Sequence, residues 1–279
     1  MKKIDMLYSF MPKNPLKATG FLILIAMLAV SLFAPWISPY DPRGVGIPFQ
    51  HPSIEHLLGT NDMGYDIFSE ILYGTRISLL VGLTAASISI FIGVTMGALA
   101  GYYRGRIEEL VMGTVDTFLV IPTLPLMIIM AAYLGAGIIN IILVIGLLSW
   151  CGTTRVVHSR VLQVKEMPFI ESTRALGYSD FYIITKHVLI NTKDVIRAKF
   201  CLAVGSAMLT EASLSFLGLG DPLNISWGQI INYAFNRGGF AQDLWWWYVT
   251  PGIMISISIA AFMLIGLEDK KDSSLLDLI

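Results

Sequence analysis

The sequence predicts an all-α integral membrane protein with six transmembrane helices and both termini in the cytoplasm. Of its 279 residues, 55% are hydrophobic and 14% are charged, whereas soluble domains carry about 25% charged residues. The mean hydropathy is +0.68. Runs of about 20 apolar residues, the length that crosses a bilayer as a helix, recur along the chain. This composition excludes a disordered protein and argues against a soluble enzyme.

Six apolar segments are long enough to cross a membrane, and the first is read as an uncleaved anchor. Its apolar run is longer than that of a signal peptide, and the only plausible small-residue cleavage site, Ala34, is directly followed by Pro35. The third segment contains Pro122 and Pro125 near its middle. The predicted spans cover residues 19–37, 77–102, 110–133, 138–154, 195–217 and 246–267.

The distribution of basic residues sets the orientation. With the N-terminus in the cytoplasm, only Arg43, Arg76 and Arg237 of the 19 Lys and Arg residues lie outside. Cytoplasmic segments of membrane proteins are enriched in Lys and Arg, so both termini are predicted inside. The aromatic run Trp245 to Tyr248 then lies at the outer interface, where it is interpreted as a membrane anchor.

The first outer loop, residues 38–76, contains an amphipathic segment at 66–73 that suits a position flat on the membrane. A packing role for this loop is favoured over a binding role. His51 and His56 have poor spacing for a metal site. Within the second span, glycines recur at every fourth position, which suits close helix packing inside the subunit rather than between subunits. They are Gly93, Gly97 and Gly101.

A polar, basic but well patterned cytoplasmic segment covers residues 155–194. Pro168 is suited to open a short helix, Gly177 to end it, and Ser179 to cap a second one. The small side chains of Ser172 and Thr173 would let a partner backbone approach closely. The alternative is a solvated loop that packs only on its own membrane domain.

This segment resembles the coupling loop of bacterial ABC importer permeases of the dipeptide, oligopeptide and nickel branch. That motif reads E-A-A, three residues, G, nine residues, then I-x-L-P, and here Ile190 stands where proline is usual. The resemblance assigns ATPase coupling to Glu171, Ser172, Thr173, Ala175, Gly177, His187 and Leu189. Four other stretches match the branch, at residues 58–66, 74–79, 97–103 and 211–220, with Tyr65 in place of the usual arginine.

The resemblance implies a type I ABC importer permease, the C-type subunit of a pair, in a prokaryotic plasma (inner) membrane. It would form half of a pathway for peptides, with nickel or another small solute as the alternative and a self-sufficient channel or secondary transporter less favoured. The partners implied are a second homologous permease, two ATPase subunits that hold ATP and Mg, an extracytoplasmic solute-binding protein and membrane lipid. The sequence contains no phosphate-binding G-x-x-x-x-G-K-[ST] run, so the chain itself is expected not to hydrolyse ATP.

Two acidic residues lie inside predicted spans, where charge is costly and therefore points to function. Asp116 lies in the third span and Glu211 in the fifth. Each is a candidate to line the pathway or to bond to hydroxyl groups of a neighbouring helix. No catalytic, cofactor, metal or nucleic-acid site is indicated. The predicted division is an N-terminal segment with anchor and first loop (1–75), a transmembrane core with the coupling loop (76–267) and a cytoplasmic tail (268–279).

Overall fold

In the computed structural model, residues 14–267 are described, and most of them are helical. The predicted cytoplasmic tail and the basic residues Lys2, Lys3 and Lys13 lie outside the described residues. The helices are α1 (Pro15–Ile37), α2 (Ile67–Tyr103), α3 (Arg106–Val120), α4 (Thr123–Leu134), α5 (Ile138–Leu148), α6 (Cys151–Lys165), α7 (Pro168–Ala175), α8 (Asp180–Ile183), α9 (Leu189–Leu214), α10 (Trp227–Asn236) and α11 (Trp245–Gly266). Two π-helical segments, Ile184–Val188 and Ser215–Leu219, precede and follow α9.

Within residues 14–267, five helical stretches are long and apolar enough to cross a membrane. The stretches are Pro15–Ile37, Ile67–Tyr103, Ile138–Lys165, Asp180–Leu219 and Trp245–Gly266. A sixth exists only if α3 and α4, which meet at 87°, cross as one span. The predicted third span is therefore broken. Pro122 explains the break, because a proline disfavours helical backbone in the residue before it, and Ile121 is extended there.

The amphipathic segment at 66–73 belongs to α2 and is buried. Asp66 caps this helix, its carboxylate accepting a hydrogen bond from the Ser69 backbone N–H at 2.8 Å. Ile67 and Ile71 lie in the protein core. The packing role is what the structure shows, and a position flat on the membrane surface is wrong. Because α2 starts at Ile67, well before residue 77, it is the longest single α-helix described.

Helix α2 is the centre of the bundle and packs on α1, α5, α6 and α9. Its glycine face meets α6. A Cβ atom added at Gly93 would lie 2.6 Å from the Thr153 Cβ, and one at Gly101 would lie 2.9 Å from the Val161 Cβ. Real Cβ atoms do not approach other atoms so closely, so only glycine permits this crossing. The prediction that these glycines pack inside the subunit is confirmed.

The first outer loop folds onto the end of the bundle that lies opposite to α7. The His56 Nδ1 atom lies 2.9 Å from Asp66 Oδ1, whereas the His51 ring lies against Trp246. The two histidines therefore have separate partners, and within residues 14–267 no group of acidic, His or Cys side chains could hold a metal ion.

The aromatic run at the start of α11 is a core element rather than a membrane anchor. Trp247 is fully buried and Trp246 is 8% exposed, while Trp245 alone is largely exposed, at 56%. Trp246 and Trp247 belong to the hydrophobic cluster that joins α1, α2, α9, α10 and α11. The anchor interpretation thus holds at most for Trp245. Successive residues of an α-helix are rotated by about 100° around its axis, so neighbouring tryptophans point in different directions.

We predict that Gly97→Ala destabilises the protein and that Gly113→Ala does not. A Cβ atom at Gly97 would lie 2.7 Å from the Thr154 carbonyl oxygen, whereas nothing lies within 4 Å of one at Gly113 in α3. Overpacking of this kind costs about 1–3 kcal/mol, while alanine in an open helical position is favourable by up to about 1 kcal/mol. Thermal unfolding of the two purified variants measures the difference. Equal melting temperatures would contradict the close α2–α6 contact.

Candidate coupling site and buried polar residues

The coupling hairpin, defined as residues 166–188, consists of α7, α8 and the following π-helical segment. Pro168 occupies the first position of α7, where its missing N–H is not needed. Gly177 follows α7 with φ of +82°, a left-handed conformation that glycine adopts without strain. Ser179 then caps α8, its hydroxyl accepting a hydrogen bond from the Tyr182 N–H. The two predicted short helices and their junction are therefore present.

Both ends of the predicted loop belong to long helices. Arg155 lies inside α6, and Asp194 lies inside α9. From α8 the helix continues through α9 into the second π-helical segment, where it ends in a kink at Gly218. The coupling hairpin is thus a direct extension of the long helices α6 and α9.

The apolar face of the hairpin packs on the ends of α2 and α6. Ile170 and Ile183 form one cluster with Val157, Val161 and Val164 of α6. All five side chains are buried. Fully burying an aliphatic side chain contributes about 1.5–3 kcal/mol, so this small core holds the hairpin in one position relative to the membrane helices.

Polar contacts around Tyr102, in the last turn of α2, fasten the same junction. The Tyr102 hydroxyl donates to Asp180 Oδ1 at 2.6 Å and accepts from the Arg174 guanidinium at 3.2 Å. The Lys165 ammonium donates to the Tyr102 carbonyl oxygen. Tyr102 therefore bonds to both helices of the hairpin and to the end of α6. Sequence analysis did not select it, although its place in the glycine-rich end of α2 is a signal that a helix packs there.

The predicted coupling residues divide between the outer and inner faces of the hairpin. Glu171, Ser172, Ala175 and Gly177 are exposed, whereas Thr173 is 8% exposed and its hydroxyl donates to the Phe169 carbonyl oxygen at 2.7 Å. Thr173 thus packs inside the hairpin and does not present a small side chain to a partner.

The two remaining coupling residues, His187 and Leu189, are half-buried. The ring of His187 lies against Phe169 and Tyr182, with centroids 6.2 and 5.7 Å apart. Leu189 packs against the cluster of buried aliphatic residues under the hairpin. Both side chains therefore contribute to the packing of the hairpin, His187 within it and Leu189 against the buried aliphatic cluster.

Asp116 is an exposed residue with a charged partner. Its side chain is 61% exposed and forms an ion pair with Arg155, 53% exposed, in α6. Of the two alternatives given for Asp116, the one with hydroxyl partners is not what the structure shows, since its partner is a guanidinium group, and a place along the pathway stays a prediction. This pair also connects α3, of which only Val115 is buried, to the main bundle.

Glu211 is one of the most buried polar residues, at 2% exposure, and lies where α9 meets α2 and α10. Its Oε1 atom accepts a hydrogen bond from the Ser215 hydroxyl at 2.7 Å, and the hydroxyls of Ser78 and Ser226 lie near the same carboxyl group. Hydroxyl groups thus surround Glu211. This is the second of the two alternatives given above, in which the carboxyl group bonds to hydroxyl groups of a neighbouring helix. Whether Glu211 also acts in transport stays a prediction.

Comparison with known proteins identifies the family. A family model described as "Binding-protein-dependent transport system inner membrane component" matches residues 93–267. A second, described as "N-terminal TM domain of oligopeptide transport permease C", matches residues 10–58. The chain belongs to the family of binding-protein-dependent transport permeases.

Relatives that match the permease over most of their length are named for the transport of peptides. The dipeptide transport permease DppC of Bacillus subtilis is 34% identical over 268 residues, covering 94% of this chain and 83% of that protein. The glutathione transport permease GsiD of Pectobacterium atrosepticum is 33% identical, covering 95% and 89%. The probable D,D-dipeptide transport permease DdpC of Escherichia coli is 31% identical, covering 91% and 85%.

A solved structure shares the fold of the permease. A chain of the methionine ABC transporter MetNI, in inward-facing conformations, superposes with a TM-score of 0.59 at 18% identity. The match covers 72% of the permease and 94% of that chain. At this identity the likeness concerns the fold alone.

Two further acidic residues of the permease have defined partners that the sequence analysis missed. Glu70, 1% exposed, accepts a hydrogen bond from the Asn61 amide at 3.1 Å. Asp221 accepts hydrogen bonds from the Asn224 side chain and from the backbone N–H groups of Leu223 and Ile138. Burial raises the pKa of Asp221, but these hydrogen bonds outweigh it and hold the pKa below its ordinary value. Asn224 follows Asp221 by three residues, a turn signal that could have drawn attention to Asp221, whereas the partner of Glu70 lies nine residues away.

We predict that Tyr102→Phe loosens the coupling hairpin of the permease without unfolding the membrane helices. The variant loses the hydrogen bonds to Asp180 and Arg174. Two such bonds together contribute about 1–3 kcal/mol, so amide hydrogen exchange across residues 174–183 should become roughly five- to a hundredfold faster.

Tyr103→Phe is the matched control, because Tyr103 is 43% exposed and its contact with Tyr102 is through the ring. Equal exchange rates in the two variants would show that Tyr102 does not hold the hairpin.

Proposed function

We propose that this permease is the C-type subunit of a type I ABC importer and forms half of a translocation pathway for peptides. The observation that carries the proposal is the coupling hairpin. It is fixed by its own core to the ends of two membrane-crossing helices, and its outer face is unoccupied within the described residues. Relatives of the permease are named for the transport of dipeptides, glutathione and D,D-dipeptides, which supports peptides as the cargo.

The outer face of the hairpin has the chemistry of a protein-docking surface. Leu176 and Phe181 are each 76% exposed, and Tyr178 is 49% exposed. Large apolar side chains that protrude together from a helical hairpin are costly in water and are typical of the centre of a protein interface. Glu171 and Arg174 add charge at the rim of this surface. We infer that each ATPase subunit, holding ATP and Mg, presents a groove for such a hairpin.

The proposed importer needs partners on both sides of the membrane. Each permease would dock one of two ATPase subunits through its hairpin, and a second homologous permease would complete the pathway. An extracytoplasmic binding protein would deliver the solute. The bent pair α3–α4 supports contacts with lipid and with the second permease, because it exposes large apolar side chains such as Val120 and Tyr133, 83% and 86% exposed.

The proposed orientation places the hairpin and both termini in the cytoplasm of a prokaryotic cell, as the distribution of basic residues predicts. In domain terms, residues 76–267 would be the transport core and residues 1–75 an added anchor with its outer loop.

A cysteine placed at Ser179 should react with a membrane-impermeant thiol reagent in inside-out vesicles and not in intact cells.

We predict that Phe181→Ala weakens ATPase binding and leaves membrane insertion intact. Truncation of a central interface residue costs about 2 kcal/mol or more, so the affinity for the ATPase subunits should fall about thirtyfold or further. Copurification of the ATPases with the tagged permease, at several salt concentrations, measures the loss.

Phe235→Ala provides the matched control for this docking test. Phe235 is also exposed, at 55%, but it lies in α10, far along the chain from the hairpin. Wild-type copurification is expected for this variant. If Phe181→Ala retains the ATPases as well as Phe235→Ala does, the hairpin is not their docking site.

The cargo is tested by uptake into proteoliposomes that contain the two permeases and the ATPases, with the binding protein and ATP supplied. We expect ATP-dependent accumulation of radiolabelled dialanine and no accumulation of ⁶³Ni²⁺. Accumulation of nickel without dialanine would exclude the peptide assignment. Accumulation of either solute without ATP or binding protein would exclude the ABC importer mechanism.

A further inference from the structure

A polar cavity lies within the bundle where α2, α5, α6 and α9 converge. It has a volume of about 190 Å³ and is lined by side chains from all of these segments and their junctions. Most of its wall is aliphatic, but Ser89, Ser149, Thr153, Lys199 and Ser206 place hydroxyl groups and one amine on the lining. A cavity of this size has room for several water molecules or for a small ionic group.

Among the described residues that line this cavity, Lys199 is the one with an ionisable side chain. It is half-buried and stands near the middle of the long helix Asp180–Leu219. Within residues 14–267, no acidic side chain pairs with its ammonium group and no acceptor bonds to it. A lysine in an apolar span without a counter-charge is costly, which makes it a candidate for binding an anion.

Ser89 provides an independent indication of a ligand. Its side chain is 2% exposed and lines the cavity, and its hydroxyl has no hydrogen-bond partner in the described part of the chain. Buried hydroxyls are almost always hydrogen-bonded, so an unsatisfied one that borders a cavity implies an occupant. On the opposite wall, α5 ends at Leu148 and α6 begins at Cys151, so the helix is interrupted where Ser149 borders the cavity.

We propose that this cavity is a binding subsite for a carboxylate of the transported solute, held by Lys199 and the Ser89 hydroxyl. This inference rests on the proposed peptide import, since every linear peptide carries a C-terminal carboxylate. An ammonium group and hydroxyl donors are the groups that pair with a carboxylate. The cavity is too small for a whole peptide, so it would take the charged end while the rest of the solute lies beside it.

The test measures binding of two small probes to the complete importer without its binding protein. Radiolabelled dialanine and dialanine amide differ only at the C-terminal group. The importer is placed in phosphatidylcholine nanodiscs without ATP, and binding is measured by equilibrium dialysis. We expect wild-type protein to bind dialanine about tenfold more tightly than the amide. Lys199→Gln should reduce this ratio to near one, and Lys199→Arg should keep most of it.

Two more variants complete the test. Lys193→Gln removes an exposed lysine from the same helix and should retain the wild-type ratio. Ser89→Ala should weaken dialanine binding severalfold. A wild-type ratio in Lys199→Gln, or no discrimination by the wild-type importer, would overturn the proposal. Loss of dialanine binding when phosphatidylglycerol is added to the nanodiscs would show that the cavity takes a lipid headgroup instead.

A separate measurement of dialanine uptake by the wild-type importer distinguishes failure of the proposed subsite from failure of the proposed peptide transport. If uptake occurs while Lys199→Gln keeps the full preference for dialanine, only the subsite is wrong. If wild-type importer takes up no dialanine, the proposed peptide transport fails and this subsite fails with it. Copurification of the ATPases with each variant confirms that the complex assembles.

Discussion

Where α2 crosses α6, glycines leave the two backbones in direct contact. The Gly97 α-carbon faces the Thr154 carbonyl oxygen at a distance that leaves no room for a side chain. Because apolar lipid gives helices no hydrophobic reason to associate, such close packing is a main source of their adhesion in a membrane. The contact between α2 and α6 positions two other features. Tyr102 of α2 bonds to the coupling hairpin, and Thr153 of α6 lines the cavity.

The buried carboxyl groups of the bundle are held by neutral donors. Glu211 accepts from a serine hydroxyl and Glu70 from an asparagine amide, while the ion pairs of Asp116 and Glu166 with arginines lie on the exposed surface. Exposed ion pairs contribute little to stability, typically below about 1 kcal/mol. The interior therefore relies on packing and hydrogen bonds, and charge is kept where water or a partner can solvate it.

The sequence predicts those parts of the fold that follow from local pattern. Apolar runs locate the membrane helices, the glycine repeat identifies a packing face, and Pro168, Gly177 and Ser179 mark the hairpin correctly. These signals work because each residue type imposes its geometry on its own neighbourhood.

Features that depend on tertiary packing are missed. The buried orientation of Trp247 and of Thr173 depends on neighbours distant in sequence, which hydropathy does not contain. Lys199 was counted with the cytoplasmic basic residues because its sequence neighbours Arg197 and Lys193 are polar. Only the convergence of α2, α6 and α9 places Lys199 beside the buried hydroxyl of Ser89.

The helix that runs from Asp180 to the kink at Gly218 makes the hairpin one end of a lever. At 1.5 Å per residue a helix of this length is about 60 Å long. A tilt of about 5° at the hairpin therefore displaces the far end by about 5 Å, an amplification that follows from helix length alone. That far end terminates at Gly218, whose φ of +85° bends the chain sharply beside a second cavity. A small rotation of the hairpin thus moves the opposite end of the helix by several ångströms.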